Sequence, residues 1–330
     1  MKTTSIISDQ LRPVYIREQV IKACRSFFDQ QGFHEVITPV LNWVVPAEPT
    51  LTPFTTTWHD LTQDHQLFLP CSPELALKKS LAQGIEPCYS LAPSFRNQEP
   101  ADADHHPEFL MLEWYRSGVS YKKIMKDCQE LVLFILDWLQ RWQERPRTDQ
   151  IEYQGKKHQL AGNWPILSLA KLFNDQTGCT IKQVEQLEQL VGLAQELGFE
   201  TQAASWEQLF NQIFINLIEP KLPVGPLFLV DFPAQISPLC TQQPNRPELA
   251  ERFEFYLAGI ELANGNNEQT QLDKIERYFK VSPDFAQVLK KLAAKLYAGA
   301  GLGVERLAMI LAGQTKLSNL NPLSLNKQPY

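Results

Sequence analysis

The order of secondary-structure signals predicts an α+β fold, an antiparallel sheet flanked by helices. Three observations predict it. The strand-like segments HQLFLPCSPE, IEPCYSLAPSFRNQ and PEFLMLEWYR follow one another as a meander, without the strand–helix alternation of a βαβ repeat. In ERFEFYLAGIELANG two strand-like runs meet at Ala258-Gly259, a tight-turn signal. In YAGAGLGVERLAMILAG a glycine-rich strand runs straight into an apolar helix.

The chain opens on a helix. Residues 13–31 place Val14, Ile16, Val20, Ile21, Cys24, Phe27 and Phe28 on one broad face, and Gly32 stops the run. A strand is expected in HEVITPVL, ending at Pro39, whose missing N–H interrupts pairing. After the meander, residues 120–143 read as an amphipathic helix. Helices near 166–174, 183–198 and 204–218 read as a less distinctive region, and LFLVDFP as a further strand. There is no internal repeat and no low-complexity tract.

Composition narrows the function. With 330 residues, 44% of them hydrophobic, the chain can build one large core, and one large domain is expected. A net charge of -6 argues against a broad basic surface for nucleic acid. The first ten residues lack the basic-then-apolar pattern of an export signal, and no uninterrupted apolar stretch of about 18 residues occurs. Neither export nor a membrane is therefore indicated, and the expected compartment is the cytoplasm. The six cysteines show no CxxC pair or metal-finger spacing and read as reduced and structural. His105 and His106 read as a solvated pair rather than metal ligands, and GAGLG at 299–303 lacks the spacing of a dinucleotide fingerprint.

Three segments, in this order, resemble the signature motifs of class II aminoacyl-tRNA synthetases: the helix–strand ending at Pro39, SFRNQE at 94–99 and GLGVERLAM at 301–309. SPELALKK at 72–79, HPEFLMLEWYR at 106–116 and RFEFYLAGIELANG at 252–265 resemble the lysyl branch. They look most like the elongation factor P–lysine ligases, truncated paralogues of lysyl-tRNA synthetase. The resemblance spans roughly 13–312 and is weak through 150–225. It implies a single class II synthetase-like catalytic domain over 1–330, with a less distinctive helical insert at about 118–225. Because the first motif begins almost at the N-terminus, no N-terminal OB-fold is expected.

The resemblance also implies a chemistry, formation of an aminoacyl-adenylate from ATP with Mg²⁺. Arg96 and Arg306 are the expected catalytic residues. The planar donor fork of Arg96 suits a contact shared by the α-phosphate and the incoming carboxylate. Phe109 offers a plane for adenine, and Asn97, Gln98, His106, Glu261, Leu262 and Gly303 complete the implied ATP site. Glu254 and Glu261 match the family's Mg²⁺ carboxylates; by spacing alone they read more readily as exposed acidic strand residues. Glu113 and Glu268 match positions that bind a side-chain amine, and Tyr115 falls on the same strand face as Glu113. Glu74 matches the residue that meets the α-amino group, beside Ser72 and Pro73. Asn264 and Gly301 complete the implied amino-acid site.

Some positions depart from the family pattern. Gln98 stands where Glu is usual, His106 where Asn is usual, and Asn266 where an aromatic residue is expected. Gly301 stands where the modification enzymes tend to carry Ala, and the added room favours an α-amino acid over a β-amino acid. Three readings follow. The first is a ligase that adenylates lysine or β-lysine and transfers it to a lysine of elongation factor P. The second is aminoacylation of tRNA, and the third is a non-catalytic regulatory paralogue. The third conflicts with retention of Arg96, Glu254, Glu261 and Arg306. A homodimer formed through the first motif is expected.

Overall fold

The computed structural model describes residues 8–44, 51–98, 103, 105–277 and 281–321. Glu99, the last residue of SFRNQE, lies outside them. Helix α1 (Arg12–Gln30) begins with Pro13 in its first turn, where a missing N–H costs nothing, and Gly32 leaves it at a φ of 73°. It buries Ile16, Val20, Ala23, Cys24, Phe27 and Phe28.

The main sheet contains β1 (His34–Glu35), β2 (Cys88–Phe95), β3 (Glu108–Ser117), β4 (Ile166–Ser168), β5 (Leu227–Val230), β6 (Arg252–Leu257), β7 (Ile260–Asn267) and β8 (Tyr297–Gly303). Their order across the sheet is β1-β2-β3-β8-β7-β6-β5-β4. The inner pairs are antiparallel, as expected, but both outermost pairs, β1 with β2 and β4 with β5, are parallel. Ala258 and Gly259 join β6 to β7 with φ of 56° and 78°, the two left-handed residues that a tight hairpin needs.

Several elements differ from expectation. The strand in HEVITPVL pairs only through His34–Glu35 and the Val36 N–H, so it ends before Pro39 is reached. The segment at 65–74 contributes His65–Phe68, which with Asp64 form a separate hairpin with Thr55–His59. Thr55–His59 is exposed along its length and has no apolar face to dock. The helix expected from 166 starts at Leu169, because the Ser168 side chain accepts the Lys171 N–H and caps it, leaving Ile166–Ser168 as an edge strand.

Each sheet face has its own partners. Leu112, Trp114, Phe253, Phe255, Ala298, Ala300 and Leu302 point into the main core with α1, α3 (Tyr121–Trp142) and α9 (Val304–Leu311). Helix α3, assigned to the insert from sequence, is thus part of this core; its apolar face has the sheet to cover. On the opposite face a second core joins the insert helices α4 (Leu169–Thr177), α5 (Leu187–Glu196) and α6 (Trp206–Ile213) to Leu227, Leu229 and Tyr256. A third core joins α2 (Glu74–Leu81), α7 (Leu272–Ile275) and α8 (Pro283–Leu292) to Cys88, Tyr115 and Tyr297. The polar middle of that face lies between the two.

Glu305, unremarked in the sequence, ties the layers. Its carboxylate accepts the Leu110 N–H of β3 at 2.6 Å and Arg17 of α1 at 2.8 Å, from the first turn of α9. Glu305→Ala would strand a strand amide and a guanidinium, and should lower unfolding free energy by about 2–3 kcal/mol. Urea denaturation measures this, and a loss below about 0.5 kcal/mol would mean the tie is not structural.

Candidate active site

Strand register places the expected site residues on one face. Ser90, Glu113, Gly301, Asn264, Glu254 and Leu229 form one line of directly opposed residues across six strands. Alternation adds Phe109, Met111 and Tyr115 from β3 and Gly303 from β8. A bulge at Phe255/Tyr256 pairs Glu261 with Tyr256, which returns Glu261 to the face of Glu254. The same bulge sends the Leu262 side chain into the main core, so Leu262 offers only its backbone to a nucleotide, a correction to the implied ATP site.

At one end of this face the guanidinium of Arg96 stands over the Phe109 ring, 5.3 Å from its centroid. The Arg96 N–H bonds the carbonyl of Pro107, beside His106. Asn97 holds the Gln98 N–H through its side chain at 2.9 Å, and its own N–H bonds Thr52. Gln98 itself is exposed, at a φ of 63°, and its amide oxygen accepts from the Thr52 hydroxyl at 3.4 Å. That oxygen is already engaged by the Thr52 hydroxyl. Arg306, on α9, donates to the Glu261 carbonyl at 3.1 Å, and Gly303 packs beside its side chain.

Glu254 and Glu261 make a carboxylate pair on the adjacent strands β6 and β7. Glu254 is buried; desolvation first, then the charge of Glu261, push its carboxyl up to about 8. Arg252, missed in the sequence, donates to Glu254 at 2.7 Å, and Tyr256 donates at 3.0 Å. Arg252 is fixed in turn by the Ile236 carbonyl at 2.9 Å and the Phe232 ring. Two oriented hard carboxylates whose repulsion a dication would relieve fit Mg²⁺.

The other end is a buried ion cluster. Glu113, Glu268 and Lys78 are 5%, 5% and 1% exposed. The Lys78 ammonium lies 2.5 Å from Glu74 and 2.5 Å from Glu268. The Tyr115 hydroxyl donates to Glu113 at 2.6 Å, and Asn266 donates to Glu268 at 3.2 Å. Burial, and then the charge of Glu74, raise the Glu113 carboxyl well above its ordinary range. Burial likewise raises Glu268, against the opposing pull of Lys78. Lys78 was not singled out in the sequence, although its i,i+4 spacing from Glu74 was a usable signal.

Backbone packing shapes this end. A Cβ on Gly299 would lie 2.3 Å from the Tyr115 ring and 2.7 Å from the Trp114 carbonyl, so this glycine is required by the tyrosine that orients Glu113 rather than by a nucleotide. A Cβ on Gly301 would meet Met111 sulfur at 3.3 Å and Glu113 at 3.9 Å, which makes Gly301 part of the pocket wall. Ser72 accepts the Glu74 N–H at 3.3 Å, and Pro73 precedes the first residue of α2, so both position Glu74. Asn264 is exposed, in line between Gly301 and Glu254. Ser72, Pro73 and Glu74 also line a small open cleft with Phe285 among its walls.

Comparison with known proteins agrees with this geometry. Residues 8–326 match the family described as tRNA synthetases class II (D, K and N). The chain is 31% identical over 334 residues to the lysine–tRNA ligase of Pelotomaculum thermopropionicum, covering 96% of this chain and 64% of that protein. It is 30% identical over 332 residues to that of Carboxydothermus hydrogenoformans, covering 96% and 66%. It is also 30% identical to that of Magnetococcus marinus over 341 residues, covering 98% and 65%. The chain thus spans a little under two thirds of the length of these relatives.

The raised carboxyls predict a pH dependence of folding. A carboxyl raised on folding contributes stability that is present below its unfolded value, about 4.3 for Glu, and is lost as pH rises through its folded value. Glu113→Gln keeps an acceptor for Tyr115 and cannot ionise. As pH rises above about 4.3 the variant should gain stability relative to the parent in urea unfolding of the ligand-free protein. Parallel pH slopes for the two proteins would show that Glu113 does not titrate there.

Proposed function

The chain belongs to the class II tRNA synthetases (D, K and N), and we propose that it activates lysine or β-lysine as an aminoacyl-adenylate and passes it to a lysine side chain of elongation factor P. The charge of the buried cluster carries the amino-acid assignment. Glu74 and Glu268 clasp the Lys78 ammonium and Glu113 feels its charge; with all three ionised the cluster carries two negative charges beyond Lys78, which the two ammonium groups of a diamino acid would neutralise.

In the activating step a carboxylate oxygen of the amino acid attacks the α-phosphorus of ATP, and the bond to the β-phosphate oxygen breaks to release pyrophosphate. Glu113 and Glu268 hold the side-chain ammonium and Glu74 the α-ammonium, which leaves the carboxylate near the uncharged strip of Gly301 and Asn264. Arg96 bridges carboxylate and α-phosphate, and Arg306 neutralises charge from the opposite side. Glu254 and Glu261 would hold Mg²⁺, which supplies further neutralisation of the phosphates when bound. In the transfer step the acceptor nitrogen attacks the carbonyl carbon, AMP departs with the C–O electron pair, and the nitrogen gives up a proton.

Elongation factor P as acceptor is supported by the motif resemblance and by a net charge of -6, which provides no surplus of cations to hold a nucleic acid. The second reading, transfer to tRNA, is favoured by the names of the relatives, all lysine–tRNA ligases. A homodimer accounts for the exposed Ile37, Leu41, Trp43, Trp58 and Leu61 around the first motif. A cytoplasmic location fits six free thiols, and no helix among the described residues is long and apolar enough to cross a membrane.

Pyrophosphate exchange dependent on lysine or β-lysine tests the activation. Arg96→Ala should reduce it at least about 100-fold, the scale set by loss of one charge-stabilising donor. Exchange with no lysine isomer would overturn the reading. With purified acceptors, a mass increase of elongation factor P supports protein ligation, and charging of tRNA alone selects the second reading.

A further inference from the structure

An ion pair that served only to brace the fold would balance one cation with one anion, and similar-sized apolar residues would do as well. Lys78 does neither. It is fully buried, 5.8 Å from the Phe285 ring of α8, and it faces an excess of carboxylates drawn from three separate elements. Glu74 lies one turn before it on α2, Glu113 on β3 and Glu268 just past β7. The partnership with Glu74 is local, whereas that with Glu268 joins α2 to the sheet across the amino-acid end of the site. A single nitrogen thereby fixes the spacing of the two carboxylates, and each keeps its second oxygen for other partners. Asn266 on β7 completes the arrangement by donating to the far oxygen of Glu268.

We infer that Lys78 is a positioning residue that determines specificity: its ammonium clamps Glu74 and Glu268 and sets the cluster's charge to match an amino acid with two ammonium groups. This rests on the activation of a lysine-like amino acid proposed above. Lys78 need not touch the substrate. With Lys78 present, an amino acid with an uncharged side chain leaves one carboxylate unneutralised, and a diamino acid leaves none. Without Lys78, the surplus reaches three, and the buried carboxyls take up a proton in place of the missing cation.

The titratable and charged groups around Lys78 are Glu74 on its own helix, Cys88 on β2, Glu113 and Tyr115 on β3, Cys240 in the loop after β5, and Glu268; α8 presents Phe285. Cys88 and Cys240 are pushed by burial up to about 12, and burial also raises Tyr115, so none of these three ionises near neutrality. Lys78 itself is held protonated by Glu268 and Glu74 against the cost of burial. Its loss removes the cation that opposes protonation of Glu113 and Glu268.

Pyrophosphate exchange across pH 6–9 with the full chain, at saturating Mg²⁺–ATP, tests this in the parent, Lys78→Met and Lys78→Gln. The glutamine retains N–H donors for the carboxylates while removing the charge. Both variants should raise the KM for lysine at pH 7 at least tenfold, with the KM for ATP changed less than twofold. The pH above which the lysine KM becomes constant should move up by a unit or more. Discrimination between lysine and norleucine should fall at least fivefold. A lysine KM and pH profile coincident with the parent in a folded variant would overturn the inference. Failure of both variants to fold would assign Lys78 to stability alone and overturn it equally. Absence of exchange in the parent would instead refute the proposed activation.

Discussion

The structure turns on an unbalanced set of buried charges. Glu74 and Glu268 clasp Lys78, and Glu113 lies within reach of their charges, with Glu113 and Glu268 both buried. Such a cluster has a cost in the free protein, expressed as the upward displacement of Glu113 and Glu268. A fold carries that cost when its return comes on binding, because a cation entering the cluster recovers the electrostatic free energy that burial withheld. Much of the surrounding structure can be understood as holding these groups in place. Tyr115 and Asn266 orient two of the carboxylates, Gly299 leaves room for the Tyr115 ring, and Ser72 with Pro73 sets the start of α2 so that Glu74 enters from above the sheet.

The sheet makes this possible by separating labour between its faces. One face is apolar and buried by α1, α3 and α9, so it supplies the rigidity. The opposite face is covered only at its flanks, by the insert helices on one side and by α2 and α8 on the other. Between these flanks a single row from Ser90 to Leu229 presents side chains from six strands. Residues on inner strands of a sheet are held more closely than residues on loops, and alternation keeps Glu113, Gly301, Asn264 and Glu254 on one surface without any further device. The bulge at Phe255/Tyr256 is the one irregularity in that row, and it is what returns Glu261 to the face of Glu254.

Much of this is legible in the amino-acid sequence. The helix of 13–31, the hairpin at Ala258-Gly259 and the strand-to-helix passage at Gly303 follow from local rules of periodicity and turn chemistry. The motif residues come together because their spacing on strands fixes their face. What is not legible depends on partners distant along the chain. Lys78, Arg252 and Glu305 look like ordinary surface charges until Glu268, Ile236 and Leu110 are brought beside them. The bulge that buries Leu262 is likewise a property of paired strands, and HEVITPVL reads as a long strand only because its lack of a neighbour beyond Val36 is invisible in one dimension. A signal that could have exposed Arg252 is its i,i+2 relation to Glu254, which puts both on one face.

The two charged ends of the row differ in kind, and that difference gives the site a direction. Glu254 and Glu261 form an acidic pair with Arg252 fixed behind it, an arrangement that welcomes a small dication and, through it, phosphate. Glu74, Glu113 and Glu268 present carboxylates to an ammonium with no arginine among them. Gly301 and Asn264 lie in the row between the two ends and carry no charge. A molecule with ammonium groups at one end and a carboxylate at the other therefore has one favourable orientation, its cationic end in the buried cluster and its carboxylate toward the strip that separates the cluster from the metal pair. Arg96 is anchored over Phe109 at the junction of β2 and β3, on the same sheet face. Reversing the molecule would place a carboxylate among three others, a repulsion that low-dielectric surroundings make several-fold stronger than in water.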